Sequence, residues 1–223
     1  VDLAKIEENA RLVCDALGGR PIVGVTKVTC ASPEVARAML AGGVSGLADS
    51  RLENLARLRD AGIDAPRWLL RSPAPALAEE TVRVADVSLE SEIETVIALD
   101  AAAGRLGTVH GVLAMVDLGD LREGMMPGAL PAFVDQVEAL EHVELVGIGV
   151  SLTCYGAIVP DASNLGELVA LTQSAEARVR RRLLVSGGMS SSLDALAKGE
   201  LPDRVDSLRV GESILLGVST VTR

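Results

Sequence analysis

The sequence predicts an α/β fold, a closed (β/α)8 barrel of the TIM type, on three observations. Eight short aliphatic runs recur along the chain, at 21–27, 44–48, 67–71, 84–89, 109–117, 143–151, 183–186 and 206–210. Amphipathic stretches separate them at 33–41, 51–61, 75–83, 91–103, 128–141, 164–178 and 191–198, and strands spaced by helices of that length run parallel. Eight such units in 223 residues is the number that closes a barrel, whereas an open doubly wound sheet seldom needs eight so regular.

The elements follow in order. Residues 3–17 carry apolar positions at helical spacing and stop at Gly18-Gly19, giving a helix in front of the first strand. The run from Pro21 to Lys27 is apolar until it ends on an ammonium. A strand covered on both faces has no place for a charge, so Lys27 is expected to emerge into water or into a cleft. The pattern then repeats to the run at 206–210, with no internal repeat beyond the βα alternation and no low-complexity linker.

Composition limits the partners. At 48% hydrophobic the chain can bury one large core as a single domain over 1–223, and with only Trp68, Phe133 and Tyr155 aromatic its interior must be filled by Val, Leu, Ile and Ala. So few aromatic rings and a net charge of −10 argue against nucleic acid as partner. No apolar stretch reaches the length of a membrane span and no signal peptide is apparent. Cys14, Cys30 and Cys154 form neither a disulfide framework nor a zinc pattern, which points to the reducing cytoplasm.

In a barrel the chemistry lies at the C-terminal ends of the strands, and there this hydrophobic chain gathers its polar residues: Lys27, Asp49-Ser50, Arg71-Ser72, Glu90-Ser91, Asp117 to Arg122, Ser151 to Tyr155, Ser186 to Ser192, and Arg209 to Glu212. The Ser-Gly-Gly-Met-Ser-Ser-Ser segment at 186–192 opens a helix, and Gly211-Glu212 follows the last strand; loops after strands seven and eight are where barrels hold phosphate. A lysine able to form an imine beside a phosphate cradle suggests pyridoxal 5′-phosphate. Asp117 and Asp120 with Arg122 read as an ion-paired network rather than a metal site, and Cys154 as a small packing residue.

The segments Val-Gly-Val-Thr-Lys-Val at 23–28, Met-Val-Asp-Leu-Gly-Asp-Leu-Arg-Glu-Gly-Met at 115–125 and Leu-Arg-Val-Gly-Glu-Ser-Ile-Leu-Leu-Gly at 208–217 resemble the marker segments of the fold-type III pyridoxal-phosphate enzymes, whose barrel is the alanine racemase N-terminal domain. The runs at 48–55, 88–95, 147–156 and 185–192 resemble the alanine/ornithine racemase branch. That resemblance implies an amino acid racemase, an isomerase that inverts Cα by proton abstraction from an amino acid substrate bound to the cofactor. It implies that Lys27 carries the cofactor and acts as one base, that Arg209 bonds the pyridine nitrogen, that Ser190, Gly211 and Glu212 hold the phosphate, and that Arg122 lies near the cofactor's phenolic oxygen and the substrate carboxylate. Tyr155, the sole tyrosine, reads either as a second base or cofactor contact, or as a packing residue.

Racemases of this kind continue into a β-rich domain that supplies a catalytic tyrosine across a homodimer, whereas this chain stops at Arg223 and opens without methionine. A bare barrel points to the alternative in the same superfamily, a non-catalytic pyridoxal-phosphate homeostasis protein. A longer native chain is expected to form a homodimer.

Overall fold

In a computed structural model that describes residues 1–154 and 157–221, eight parallel strands form one sheet: β1 (Ile22–Val25), β2 (Gly46–Asp49), β3 (Arg67–Leu69), β4 (Val87–Glu90), β5 (His110–Val116), β6 (Val143–Val150), β7 (Leu184–Ser186) and β8 (Leu208–Val210). Their spatial order is β7-β6-β5-β4-β3-β2-β1-β8. The first and last strands pair in parallel, Ile22 opposite Leu208, and a Ser186–Ser207 bridge with Gly187 N–H donating to Ser207 O at 2.9 Å joins β7 to β8. The sheet therefore closes into a (β/α)8 barrel.

Around it run α1 (Leu3–Ala16), α2 (Pro33–Ala41), α3 (Leu52–Asp60), α4 (Ala78–Val84), α5 (Ile93–Leu106), α6 (Leu130–Glu138), α7 (Ala162–Val179), α8 (Ser192–Ala197) and α9 (Glu212–Leu216). Among the described residues no helix is long and apolar enough to cross a membrane. Alternation along each strand sorts side chains into two layers. Val23, Val25, Ala48, Val87, Leu89, Leu113 and Met115 fill the barrel, with Trp68 and Leu70 packed against them. Ile22, Leu47, Val112, Ala114, Ile148 and Val185 face the helices. The interior is aliphatic as composition required, with Met115 and Trp68 taking up space that Val and Leu leave.

Several boundaries differ from the sequence reading, each for a local reason. Helix α7 begins at Ala162 because Asp161 and Asn164 form a capping box, the Asp161 carboxylate accepting from the Ser163 and Asn164 amides while the Asn164 side chain accepts from Asp161 N–H. The apolar run at 84–89 is split: Val84 is the buried last residue of α4, and the strand itself is 87–90, which brings Glu90 into the sheet. Helix α9, five residues ending at Gly217 in the left-handed region with φ 66°, was not anticipated, since one helical turn is too short for periodicity to reveal.

Strand β6 is one residue longer than its partner over their shared ladder, with the register moving between Val112 and Leu113. Beyond that shift, Gly147 lies so close to β7 that a Cβ built on it would stand 2.3 Å from the Leu184 carbonyl oxygen. Backbone cannot yield there, so Gly147→Ala should destabilise the barrel by about 2 kcal/mol or more, read as a lowered urea midpoint at unchanged slope.

Candidate active site

A cleft of about 610 Å³ opens at the C-terminal end of the barrel. Its walls bring together Lys27, Arg122, Ser190, Arg209, Gly211 and Glu212, with Val25, Leu70 and Leu89 as apolar floor and Glu123 and Ser151 beside them. Six of the seven site residues expected from the sequence thus meet in one cavity. Tyr155 lies outside the described residues.

Lys27 is not the last residue of a strand. Strand β1 ends at Val25, and Lys27 begins a single 3-10 turn, Lys27–Thr29, with its side chain exposed on the rim. The residue between them explains the turn. Thr26 is fully buried, donates its N–H to Ala48 O at 2.9 Å, and sends its hydroxyl to Asp49 Oδ2 at 2.9 Å. Its ψ of −1° takes the chain out of the extended region, and Cys30 and Ala31 follow at φ 50° and 53°. Asp49, itself buried, also accepts from Arg51 N–H at 3.1 Å and Asn54 Nδ2 at 2.9 Å. One carboxylate thereby ties the base of the Lys27 turn to the start of α3.

Arg209 is the opposite case, a cation inside the barrel at 3% exposure. Its Nη1 donates to Ser186 Oγ at 2.5 Å and its Nη2 to Val150 O at 2.7 Å, with Ser151 Oγ 3.5 Å away. Burial pushes the guanidinium down to about 10, partly offset by the charge of Glu123 and deepened by that of Arg122. At neutral pH it is still a cation. The room for it comes from β6: a Cβ at Gly149 would stand 2.9 Å from Leu113 Cδ2 and 3.3 Å from Arg209 Nη1.

Between the two cations lie the serine-rich loop and the β8–α9 turn. The buried Ser190 hydroxyl accepts from the Gly211 and Ser213 amides at 3.3 and 3.4 Å. Those long bonds show two N–H groups turned toward one point. On the facing side Asp117 Oδ1 accepts from the Gly119 and Leu121 amides at 2.8 and 3.1 Å, and Asp120 accepts from the amides of Cys154 and Ile158. These carboxylates shape the backbone of the Arg122 loop, and Arg122 Nη1 reaches Cys154 Sγ at 2.8 Å. Cys154 is exposed, not packed in a core, because Asp120 holds its backbone at the surface.

Sequence reasoning missed a buried polar chain on the helix-facing side of β4 and β5. Glu90 accepts from the hydroxyls of Ser72 and Ser88, each at 2.5 Å, and Ser88 Oγ lies 2.9 Å from His110 Nε2. The alternation of polar Ser88 and Glu90 with apolar Val87 and Leu89 was its only signal, and it was hidden by the misplaced start of β4.

Residues 1–219 match the alanine racemase N-terminal domain. This chain belongs to that family. It is 40% identical to the ornithine racemase of Acetoanaerobium sticklandii, covering 99% of this chain and 63% of that protein. It is 34% identical to the lysine racemase of Thermotoga maritima, covering 97% of this chain and 61% of the relative. The chain thus spans about three-fifths of the length of these curated relatives. Its barrel superposes on the alanine racemase of Streptomyces lavendulae with a TM-score of 0.78 at 21% identity, over 98% of this chain and 58% of the other.

The buried chain sets a pH dependence. Burial pushes Glu90 from 4.5 up to about 7, against the pull of the Ser72 and Ser88 hydroxyls. Its contribution to stability is present below about 4.5 and is lost as pH rises through 7. His110 works the other way, pushed by burial from 6.5 down to about 4, so its contribution is lost as pH falls through 4. Glu90→Gln should remove the first slope, gaining about 1–3 kcal/mol on the wild type between pH 5 and pH 8 in urea unfolding followed across that range.

Proposed function

We propose that this barrel binds pyridoxal 5′-phosphate and serves in the racemisation of a diamino acid of the ornithine or lysine kind. The observation that carries the reading is the pairing, in one cleft, of a rim amine at Lys27 with a buried guanidinium at Arg209. The donor set fits the cofactor: an amine for its aldehyde, a permanent cation for its ring nitrogen, and hydroxyl and amide donors around Ser190 for its phosphate. The names of the two relatives at 40% and 34% identity supply the substrate class.

The bound cofactor draws electron density from Cα and so acidifies its proton. The chain's own residues do the rest. Lys27 would hold the cofactor and move the Cα proton on its own face, its turn clamped by the Thr26–Asp49 hydrogen bond at its base. Arg209 can only donate, so its guanidinium would leave the ring nitrogen unprotonated and moderate the electron withdrawal. Ser190 and the Gly211 and Glu212 backbone would hold the phosphate, the amides of Gly211 and Ser213 already converging on the Ser190 hydroxyl. Arg122 pairs with the substrate carboxylate, its guanidinium braced on Cys154. Inversion needs a second base on the opposite face. Tyr155 is the candidate within this sequence, and the part of the longer relatives not covered by this chain is the other source.

The native-length protein should be yellow, and borohydride should fix the cofactor on Lys27. In D2O it should exchange the Cα proton of ornithine or lysine of either hand, and Lys27→Ala should lower that exchange by about 10³-fold. A protein that takes up the cofactor yet exchanges no Cα proton from ornithine, lysine, alanine or a wider panel would overturn the racemase and leave a binding protein.

A further inference from the structure

The hydrogen bonds of the Arg209 guanidinium go to neutral groups: the Ser186 and Ser151 hydroxyls and the Val150 carbonyl. A buried charge held only by neutral acceptors is expensive unless an anion lies near. Glu123 is that anion. It is half-buried on the wall of the same cleft, and its charge favours the guanidinium while that of its neighbour Arg122 opposes it. The link runs through one hydroxyl. Ser151 Oγ donates to Glu123 Oε1 at 2.6 Å and lies 3.5 Å from Arg209 Nη2. A hydroxyl has a single proton, and with that proton committed to Glu123 the oxygen turns its lone pairs toward the guanidinium.

We propose that Glu123 is a positioning residue: acting through Ser151, it forms an anionic arm that fixes the Arg209 guanidinium across the cleft. The inference rests on the reading that Arg209 faces the cofactor ring, but the arm itself is a property of the protein alone. Ser186 holds Nη1, Val150 holds the near side of Nη2, and the Glu123–Ser151 arm supplies the remaining direction and the only compensating charge traced to the guanidinium among the described residues. An uncharged amide at position 123 would still accept from the Ser151 hydroxyl but would remove the negative charge that strengthens this arm and favours the guanidinium.

The test uses full-length protein labelled with guanidinium ¹⁵N-arginine, the Arg209 signals identified by their loss in Arg209→Lys. In cofactor-free wild type the Nη protons of Arg209 should exchange slowly with solvent. Glu123→Gln should speed that exchange about tenfold or more and raise the dissociation constant for pyridoxal 5′-phosphate about tenfold, the share of one charge-assisted hydrogen bond. Ser151→Ala keeps the carboxylate but cuts the relay, so it should reproduce both effects, the double variant should add little to either, and Glu123→Asp should recover part of each. If Glu123→Gln does not fold, Ser151→Ala decides alone. Unchanged exchange and affinity in a folded variant, even with a lowered melting temperature, would overturn the arm and make Glu123 a purely structural residue. Failure of wild type to bind the cofactor would instead overturn the proposed function, with the exchange rates still deciding the arm.

Discussion

A guanidinium enclosed by a barrel of aliphatic side chains is the constraint to which the rest of the cleft answers. Burying that charge requires acceptors, and they are drawn from the ends of neighbouring strands: Val150 from β6, Ser186 from β7, and Ser151 just beyond β6. It also requires volume, which Gly149 leaves by having no side chain between Leu113 and the arginine. The register of three strands, the closure between β7 and β8, and the chemistry of the wall therefore stand or fall together. None of these direct partners is charged, and the anion that favours the guanidinium, Glu123, stands behind the Ser151 hydroxyl.

The site divides its labour between wall and rim. Arg209 belongs to the wall and moves only if the barrel moves. Lys27 belongs to a turn on the rim, where an amine needs room to change partners. Its precision comes from one residue earlier, where Thr26, Asp49 and Asn54 join the ends of β1 and β2 to the start of α3. The serine-rich loop and the β8–α9 turn stand between these two, with Ser190 gathering the amides of Gly211 and Ser213. Rigidity is placed where the buried charge must be held, and freedom at the exposed amine on the rim.

The fold was legible because eight aliphatic runs and their intervening helices leave one economical way to bury both faces of a parallel sheet. The cleft was legible because polar residues in so apolar a chain stand out at strand ends, and six of them meet in one cavity. What escaped has physical causes. Lys27 read as a strand residue because the apolar run continues to it, while the turn is set by a long-range bond from Thr26 to Asp49. The Ser72–Glu90–Ser88–His110 chain escaped because its members come from three strands or strand ends and share no spacing in sequence. Glu123 escaped because its partner, Ser151, lies 28 residues further along, just beyond β6, and no local spacing links the two.

The pairing of β1 with β8 carries a consequence for biosynthesis. Ile22 meets Leu208, and the Asn9 side chain reaches the Ile214 carbonyl at 3.0 Å, so β1 waits for the eighth strand to be made before its second edge is paired. Until then β1 has an open edge and the Gly149 niche has no arginine to fill it. A nascent chain cut short before residue 208 would hold seven strands with two open edges and no Arg209, which is the kind of species that chaperones retain. The strand that seals the sheet also delivers Arg209, so the barrel acquires that buried charge and its closure in a single event.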